Sequence, residues 1–360
     1  MRADNMDRKK KKKLISLGVA IPLFLAAAIC IAGLIYTGRM LESQYEYERW
    51  RGDNEDGFSQ ISCFMPSDGK LTIESVYGFR TAMMNKLTEA SIENPETQFI
   101  DCWSTQGSAS VGGERNSGQA SVTAVGGNFF AFHPLRLVNG SYIYENDLMK
   151  DNVLLDEELA WMLFGGNNLA GMTVYLYNIP FRIAGVVARE SDYASAKAYT
   201  AGPGLYMSYD AYLSCSGDEK AGISCYEFVM PNPVKNFALG FAQSKFPIGS
   251  GEMLENTNRF SFLRLISIAK DPAVRVMRGT ADYPYWENAA RYAENKAATL
   301  LVLTIVFALG PEVIMLAAFI RNLSWGKAKL DEEIIPEARE RLEESIRVRQ
   351  RQRWEKQHGK

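Results

Sequence analysis

The sequence predicts an α+β protein in which two transmembrane helices flank one extracytoplasmic domain, and three patterns in its 360 residues predict it. Apolar residues gather in two long blocks. Charge is partitioned, basic at both ends and acidic between them. The stretch between the blocks alternates strand-like and helix-like periodicities. A hydrophobic content of 47% is ordinary for a folded chain, so the distribution and not the amount is informative.

Residues 1–13 form a basic N-terminus with seven Lys/Arg against Asp4 and Asp7. From Leu14 to Tyr36 no side chain is charged. As a helix this block is ~34 Å long, enough to cross a ~30 Å hydrocarbon layer. A cleaved signal fits less well, because its apolar region spans roughly 7–15 residues and ends in a small-x-small site. Here the block runs into Tyr36-Thr37-Gly38-Arg39-Met40, and Ala27-Ala28-Ile29 before Cys30 lacks the small residue a lipoprotein signal requires. The first block is therefore expected to be an uncleaved anchor, with a cleaved signal as the alternative. The second, residues 297–320, carries one ionisable side chain, Glu312, directly after Pro311.

The N-terminus is net +5 and residues 321–360 are net +3; with Glu312 counted, residues 37–296 hold −9. Cationic flanks stay cytoplasmic, so both termini are expected inside and the acidic domain, residues 37–296, outside. The charge is thus partitioned for topology with the lipid bilayer as partner, and it gives no footprint for nucleic acid. Tyr36, Tyr45, Tyr47 and Trp50 follow the first span, and Tyr283, Tyr285, Trp286 and Tyr292 precede the second, as a membrane-interface belt does. No strong breaker separates either span from its outer flank, so each is expected to continue outward as a stalk helix.

Within the outer domain, residues 58–65 alternate as a half-buried strand. A helix follows from Thr72, with Ile73, Val76, Met83 and Leu87 at helical spacing and Asn94-Pro95 as the stop. Residues 97–126 hold two or three strands, turned at Gly112-Gly113 and Asn116-Ser117-Gly118. This βαββ order, near 53–130, implies a helix laid on a sheet. A second, more β-rich unit spans 150–220. There a short strand leads to an Asp156 N-cap with Glu157 and Glu158 in the first helical turn, a glycine stop, and a hairpin turning at Asn178. A strand and helix over 224–245 return toward the first unit, with Val234, Phe237, Ala238 and Phe241 on one helix face.

Three of these segments carry a resemblance. Phe129-Phe130-Ala131-Phe132-His133-Pro134-Leu135-Arg136-Leu137-Val138-Asn139-Gly140 leads into Val153-Leu154-Leu155-Asp156-Glu157-Glu158-Leu159-Ala160-Trp161-Met162-Leu163-Phe164-Gly165. The hairpin Gly171–Val187 and the strand-then-helix Gly204–Leu213 follow in order. Together they resemble the extracytoplasmic core domain of MacB-type ABC transporter permeases, relatives of FtsX and the lipoprotein-releasing permeases. The resemblance covers residues 37–296 and implies a porter-like βαββ subdomain beside a β-rich one. It also implies a non-catalytic permease-like subunit driven by a separate ABC ATPase subunit, doing transport or mechanical work outside. Permeases of the family typically carry four spans, whereas this chain has two. Two helices cannot enclose a polar path alone, so an additional permease subunit or a homo-oligomer is expected. The competing class is an anchored sensor or binding module without transport activity.

Residue-level candidates are few. An oxidising exterior permits disulfides Cys215–Cys225, across a loop, and Cys63–Cys102, between strands; four reduced thiols are the alternative. Neither pair has a histidine or second cysteine at zinc-ligand spacing, so no metal is expected. A charge within hydrocarbon costs at least ~2.5–3.5 kcal/mol, so Pro311 and Glu312 mark either a packing or coupling contact or a snorkelling side chain. The tail carries Leu330, Ile334, Ala338, Leu342 and Ile346 as a thin apolar stripe for a cytoplasmic partner or a solvated helix. Only two histidines occur; His133 reads as core packing and His358 lies near the C-terminus. With no Gly-x-x-x-x-Gly-Lys-Ser/Thr loop, no cofactor and no enzymatic activity are expected.

Overall fold

The computed structural model describes residues 2–54, 57–66, 71–199, 202–217, 222–270 and 283–358. Contacts divide the chain into two units, residues 1–32 with 302–360, and residues 33–301.

In the first unit, α1 (Arg2–Arg39) and α10 (Tyr285–Lys329) supply two helices long and apolar enough to cross a membrane. Ile21, Leu25 and Ile29 of α1 and Val306, Val313 and Phe319 of α10 are exposed, as helices solvated by lipid require. A Cβ placed on Gly310 would lie 3.4 Å from Leu23 Cδ1, so the small residue permits a close approach of the two helices. A π-helical turn (Leu330–Ile334) precedes α11 (Ile335–His358). Leu342 and Ile346 are exposed there, and acidic and basic residues pair at i,i+4 along the same helix.

The second unit is built on one ten-stranded sheet in the order β10-β1-β9-β2-β3-β8-β5-β7-β4. Both predicted subdomains contribute to it. The βαββ unit is β1 (Phe58–Phe64), α3 (Ile73–Glu89), β2 (Ile100–Gly112) and β3 (Ser117–Gly127). Thr72 caps α3 by accepting the Ser75 amide, and the 97–126 segment resolves into one long hairpin rather than three strands. The second unit supplies β4 (Leu137–Gly140), β5 (Asn152–Asp156), α5 (Glu157–Phe164), β6 (Thr173–Leu176), β7 (Ile179–Val187), α6 (Tyr193–Ala198), β8 (Gly204–Ser208) and α7 (Tyr209–Ser216). Parallel pairing of β3 with β8 joins the halves. Because β6 pairs with both β2 and β7, the path β2-β3-β8-β5-β7-β6 returns to β2, and every strand within that ring has two neighbours, leaving β10 and β4 at the ends of the sheet.

Local chemistry explains these elements. Asp156 Oδ1 accepts the Leu159 amide at 2.7 Å, and Gly165 ends α5 at φ +79°, a left-handed conformation that glycine adopts without a Cβ penalty. The β6–β7 turn places Tyr177 and Asn178 at φ 51° and 65°, the primed geometry that suits a twisted two-residue hairpin. The return segment is β9 (Cys225–Pro231) and α8 (Phe237–Lys245), followed by β10 (Glu252–Glu255) and α9 (Phe262–Lys270). Phe237, Ala238 and Phe241 pack on the core, but Val234 precedes the helix and is exposed.

The sheet has two unlike faces. One carries α3, α5, α7 and α8 over a large apolar core that includes Ile61, Phe79, Met83, Tyr226 and Phe228. The other carries α4 (Phe129–Phe132), α2 (Glu46–Arg51) and the first turns of α10.

The stalk expectation holds for one helix only. α10 runs unbroken from Tyr285. α1 instead ends at Arg39, and a 3-10 turn (Glu42–Gln44) precedes α2. Leu41 is buried against alanines of α10, and Gln60 holds the break by accepting the Glu46 amide and donating to the Ser43 carbonyl. Tertiary contacts override helical continuity here.

Candidate functional site

The first turns of α10 are buried deeply in the domain, and their sequence shows how. Ala289, Ala290, Ala293, Ala297 and Ala298 allow close approach, while Glu287, Arg291 and Glu294 recur at i, i+4 and i+7 and so share a face. On that face sits Arg259, from the loop between β10 and α9, fully buried. Its guanidinium grips Glu287 in a fork, Nη1 to Oε2 at 2.7 Å and Nη2 to Oε1 at 2.6 Å, and its Nε lies 3.1 Å from Glu294 Oε1. Nη1 also donates to Gln44 Oε1 and Asn256 Oδ1, each at 3.1 Å. Arg291 donates to Glu287 at 2.6 Å and to Glu252 at 2.8 Å, and Arg264 donates to Glu294 at 3.0 Å.

Three guanidinium groups therefore face three carboxylates, and the charge closes within the network. Burial alone would raise the Glu287 carboxyl, but Arg259 and then Arg291 outweigh it and hold it below the ordinary carboxylate range. Bidentate geometry fixes orientation as well as distance. Desolvating the four buried charges, Arg259, Arg291, Glu287 and Glu294, offsets most of their attraction, so such a network orients more than it stabilises.

Aromatic rings complete the seat of α10. Trp286 is 3% exposed and meets Phe129 edge-on at 5.5 Å and the His133 ring at 4.3 Å. Tyr285 stacks on Tyr199 at 4.2 Å, and Arg291 lies 3.9 Å over the Tyr283 ring, whose hydroxyl donates to Glu252. Glu190 accepts hydrogen bonds from Tyr199 and Tyr285; burial pushes its carboxyl up, partly offset by the Tyr199 hydroxyl. Tyr283, Tyr285 and Trp286, expected in a membrane-interface belt, are instead packed into the folded domain.

His133 is buried as expected, but it has a charged partner that the sequence did not reveal. Its Nε2 lies 2.6 Å from Glu227 Oε2; Glu227 Oε1 accepts from Ser62 Oγ at 2.6 Å, and Ser62 Oγ accepts from Asn256 Nδ2 at 2.8 Å. Cys102 stands directly opposite Glu227 in the β2–β9 register. Ligating atoms of Cys102, His133 and Glu227 all lie within 4.8 Å of one another, a grouping set against the expectation of no metal.

Neither expected disulfide forms; all five cysteines are free. Cys63 and Cys102 lie on β1 and β2 with β9 between them, about 9.5 Å apart at two strand spacings, beyond the ~7 Å Cα limit. They also belong to opposite faces, Cys63 with the helix-covered core and Cys102 with the other. Cys215 sits on α7 against the helix-covered core, whereas Cys225 faces the opposite side. Residues 218–221 of the intervening loop lie outside the described residues. Burial pushes the thiols of Cys63, Cys102 and Cys225 well up. In α10, Pro311 is buried and Glu312 exposed.

The MacB-like periplasmic core domain family matches residues 25–227, more than half of the chain. The chain belongs to this family. Among solved structures it is similar to the extracellular domain of the noncanonic ABC-type transporter YknZ from Gram-positive bacteria. That match has 14% identity and a TM-score of 0.38, over 52% of this chain and 92% of that one. It is also similar to the periplasmic region of MacB from Actinobacillus actinomycetemcomitans, with 18% identity and a TM-score of 0.38, over 59% of this chain and 94% of that one. No curated protein sequence matches. A MacB-like domain between two apolar helices makes the chain a two-pass membrane component of the transporter-permease type.

Proposed function

We propose that this MacB-like chain is a non-catalytic permease-like subunit of an ABC-type system, with both termini cytoplasmic and the folded domain outside. A separate ATPase subunit, with an additional permease subunit or a second copy of this chain, would move the spans. α10 would carry that motion into the sheet. One observation supports the reading most. Arg259 bonds Gln44, just past the end of α1, and Glu287 and Glu294, in the first turns of α10, at the same time. A single buried guanidinium thus ties both membrane connections to the loop after β10.

In this reading the ion network fixes the register of α10, which an all-alanine contact would leave free to slide. Glu312 in the second span is the contact offered to a partner helix, and α11 is offered to a cytoplasmic partner.

The test is affinity purification of the full chain from native membranes, with ATPase activity assayed in the eluate. An ABC ATPase subunit that co-purifies, and is lost or reduced in Glu312→Gln, is the expected result. A histidine kinase in its place, or a chain that purifies alone, would replace the transport reading with an anchored sensor. Labelling tags at positions 150 and 350 should place them on opposite sides of the membrane.

A further inference from the structure

We infer that Cys102, His133 and Glu227 form a buried binding site for a divalent transition metal of the zinc type. Two of the ligands come from directly opposed positions of neighbouring strands β2 and β9, which point to the same sheet face. The third comes from the residue that ends α4, directly after the hairpin. Thiolate, imidazole and carboxylate are the donor set of borderline metals, and their ligating atoms lie within 4.8 Å of one another.

The surroundings are built to hold such ligands. Ser62 donates to the outer oxygen of Glu227 and is itself held by Asn256, an outer layer that fixes the carboxylate. The imidazole is fixed between Phe129 at 4.6 Å and Trp286 at 4.3 Å. His133 also lines an open cavity of about 270 Å³ beside residues 40–43 and Trp286, so the site is not sealed behind the sheet.

Charge argues the same way. Once Cys102 gives up its proton on binding, its thiolate and the Glu227 carboxylate bring −2 to a fully buried place, and a divalent cation neutralises them. Without metal, a hydrogen bond between His133 Nε2 and Glu227 Oε2 spans 2.6 Å, shorter than the ~3.3 Å between two ligands of one tetrahedral zinc. Binding opens that pair by under an ångström. Nδ1 of His133 has no hydrogen-bond partner among the described residues, so no second bond fixes the tautomer. The ring proton moves from Nε2 to Nδ1, Cys102 loses its thiol proton to solvent, and one proton is released per metal bound.

The test is titration of the reduced full-length protein in detergent with Co²⁺, then competition with Zn²⁺. The expected result is one Co²⁺ per chain with a near-ultraviolet thiolate-to-cobalt band, displaced by Zn²⁺. Cys102→Ser should lose the band, whereas Cys63→Ser, on the opposite sheet face, should keep it. A wild type that folds but shows no such band, or a band that survives Cys102→Ser, would overturn the site and leave a buried His–Glu hydrogen bond.

Discussion

The two faces of the sheet solve the same problem by opposite means. Under α3 and α8 the core is almost wholly apolar: Phe79 stacks on Phe241 at 5.4 Å and meets Tyr226, Phe228 and Phe246 edge-on. Opposite, where α10 docks, the buried layer holds Glu227, His133, Asn256, Arg259, Glu287, Arg291 and Glu294. Apolar burial is non-directional and tolerates a helix that slides, whereas a forked guanidinium accepts one position. The first face accounts for most of the stability; the second dictates where one helix sits.

Five substitutions or conditions separate these roles. Arg259→Ala leaves buried Glu287 with Arg291 alone and buried Glu294 with Arg264 alone, and should cost about 3–5 kcal/mol. The loss should appear first as released amide protection over residues 285–298. Phe79→Ala should cost about 3–5 kcal/mol as well, by cavity formation, but it should lower the whole-domain melting transition without selectively releasing α10. Replacing Arg259 and Glu287 together by apolar residues of similar size should restore most of the melting temperature, because each remaining charge keeps a partner, Arg291 with Glu252 and Glu294 with Arg264. If the double variant melts no higher than Arg259→Ala, the network is a net source of stability and the contrast between faces is wrong.

Acid should act first on the polar face. The Glu287 carboxyl is lower in the folded chain than its ordinary value of 4.5, so the folded state binds this proton less readily than the unfolded one. The stability it contributes is therefore present above pH 4.5 and is lost as pH falls through the folded value. Hydrogen exchange between pH 6 and pH 3.5 should show the start of α10 loosening before the strands under α3. Ser62→Ala, removing one hydrogen bond from Glu227, should cost least, about 1–3 kcal/mol in chemical denaturation.

Much of this fold was legible in the sequence, because its signals are local. Thr72 and Asp156 cap helices, Gly165 stops one, and Asn178 turns a hairpin, each acting over a few residues. What escaped was set at long range. The break after Arg39 depends on Gln60 and on alanines of α10. Tyr285 and Trp286 have an interfacial composition whether they face lipid or Phe129 and Tyr199. The disulfide expectation failed because strand order cannot be read along the chain: β9 returns to lie between β1 and β2. His133 and Glu227 stand 94 positions apart, and no spacing rule reaches that far.

The most direct measurement is hydrogen exchange of the full chain in detergent, following residues 285–298 and β9 in the wild type and in Arg259→Ala. Matched slow exchange of the two segments in the wild type, with only 285–298 released in the variant, is the expected result. Unchanged protection of 285–298 in Arg259→Ala would contradict the claim that this ion network holds α10 to the domain.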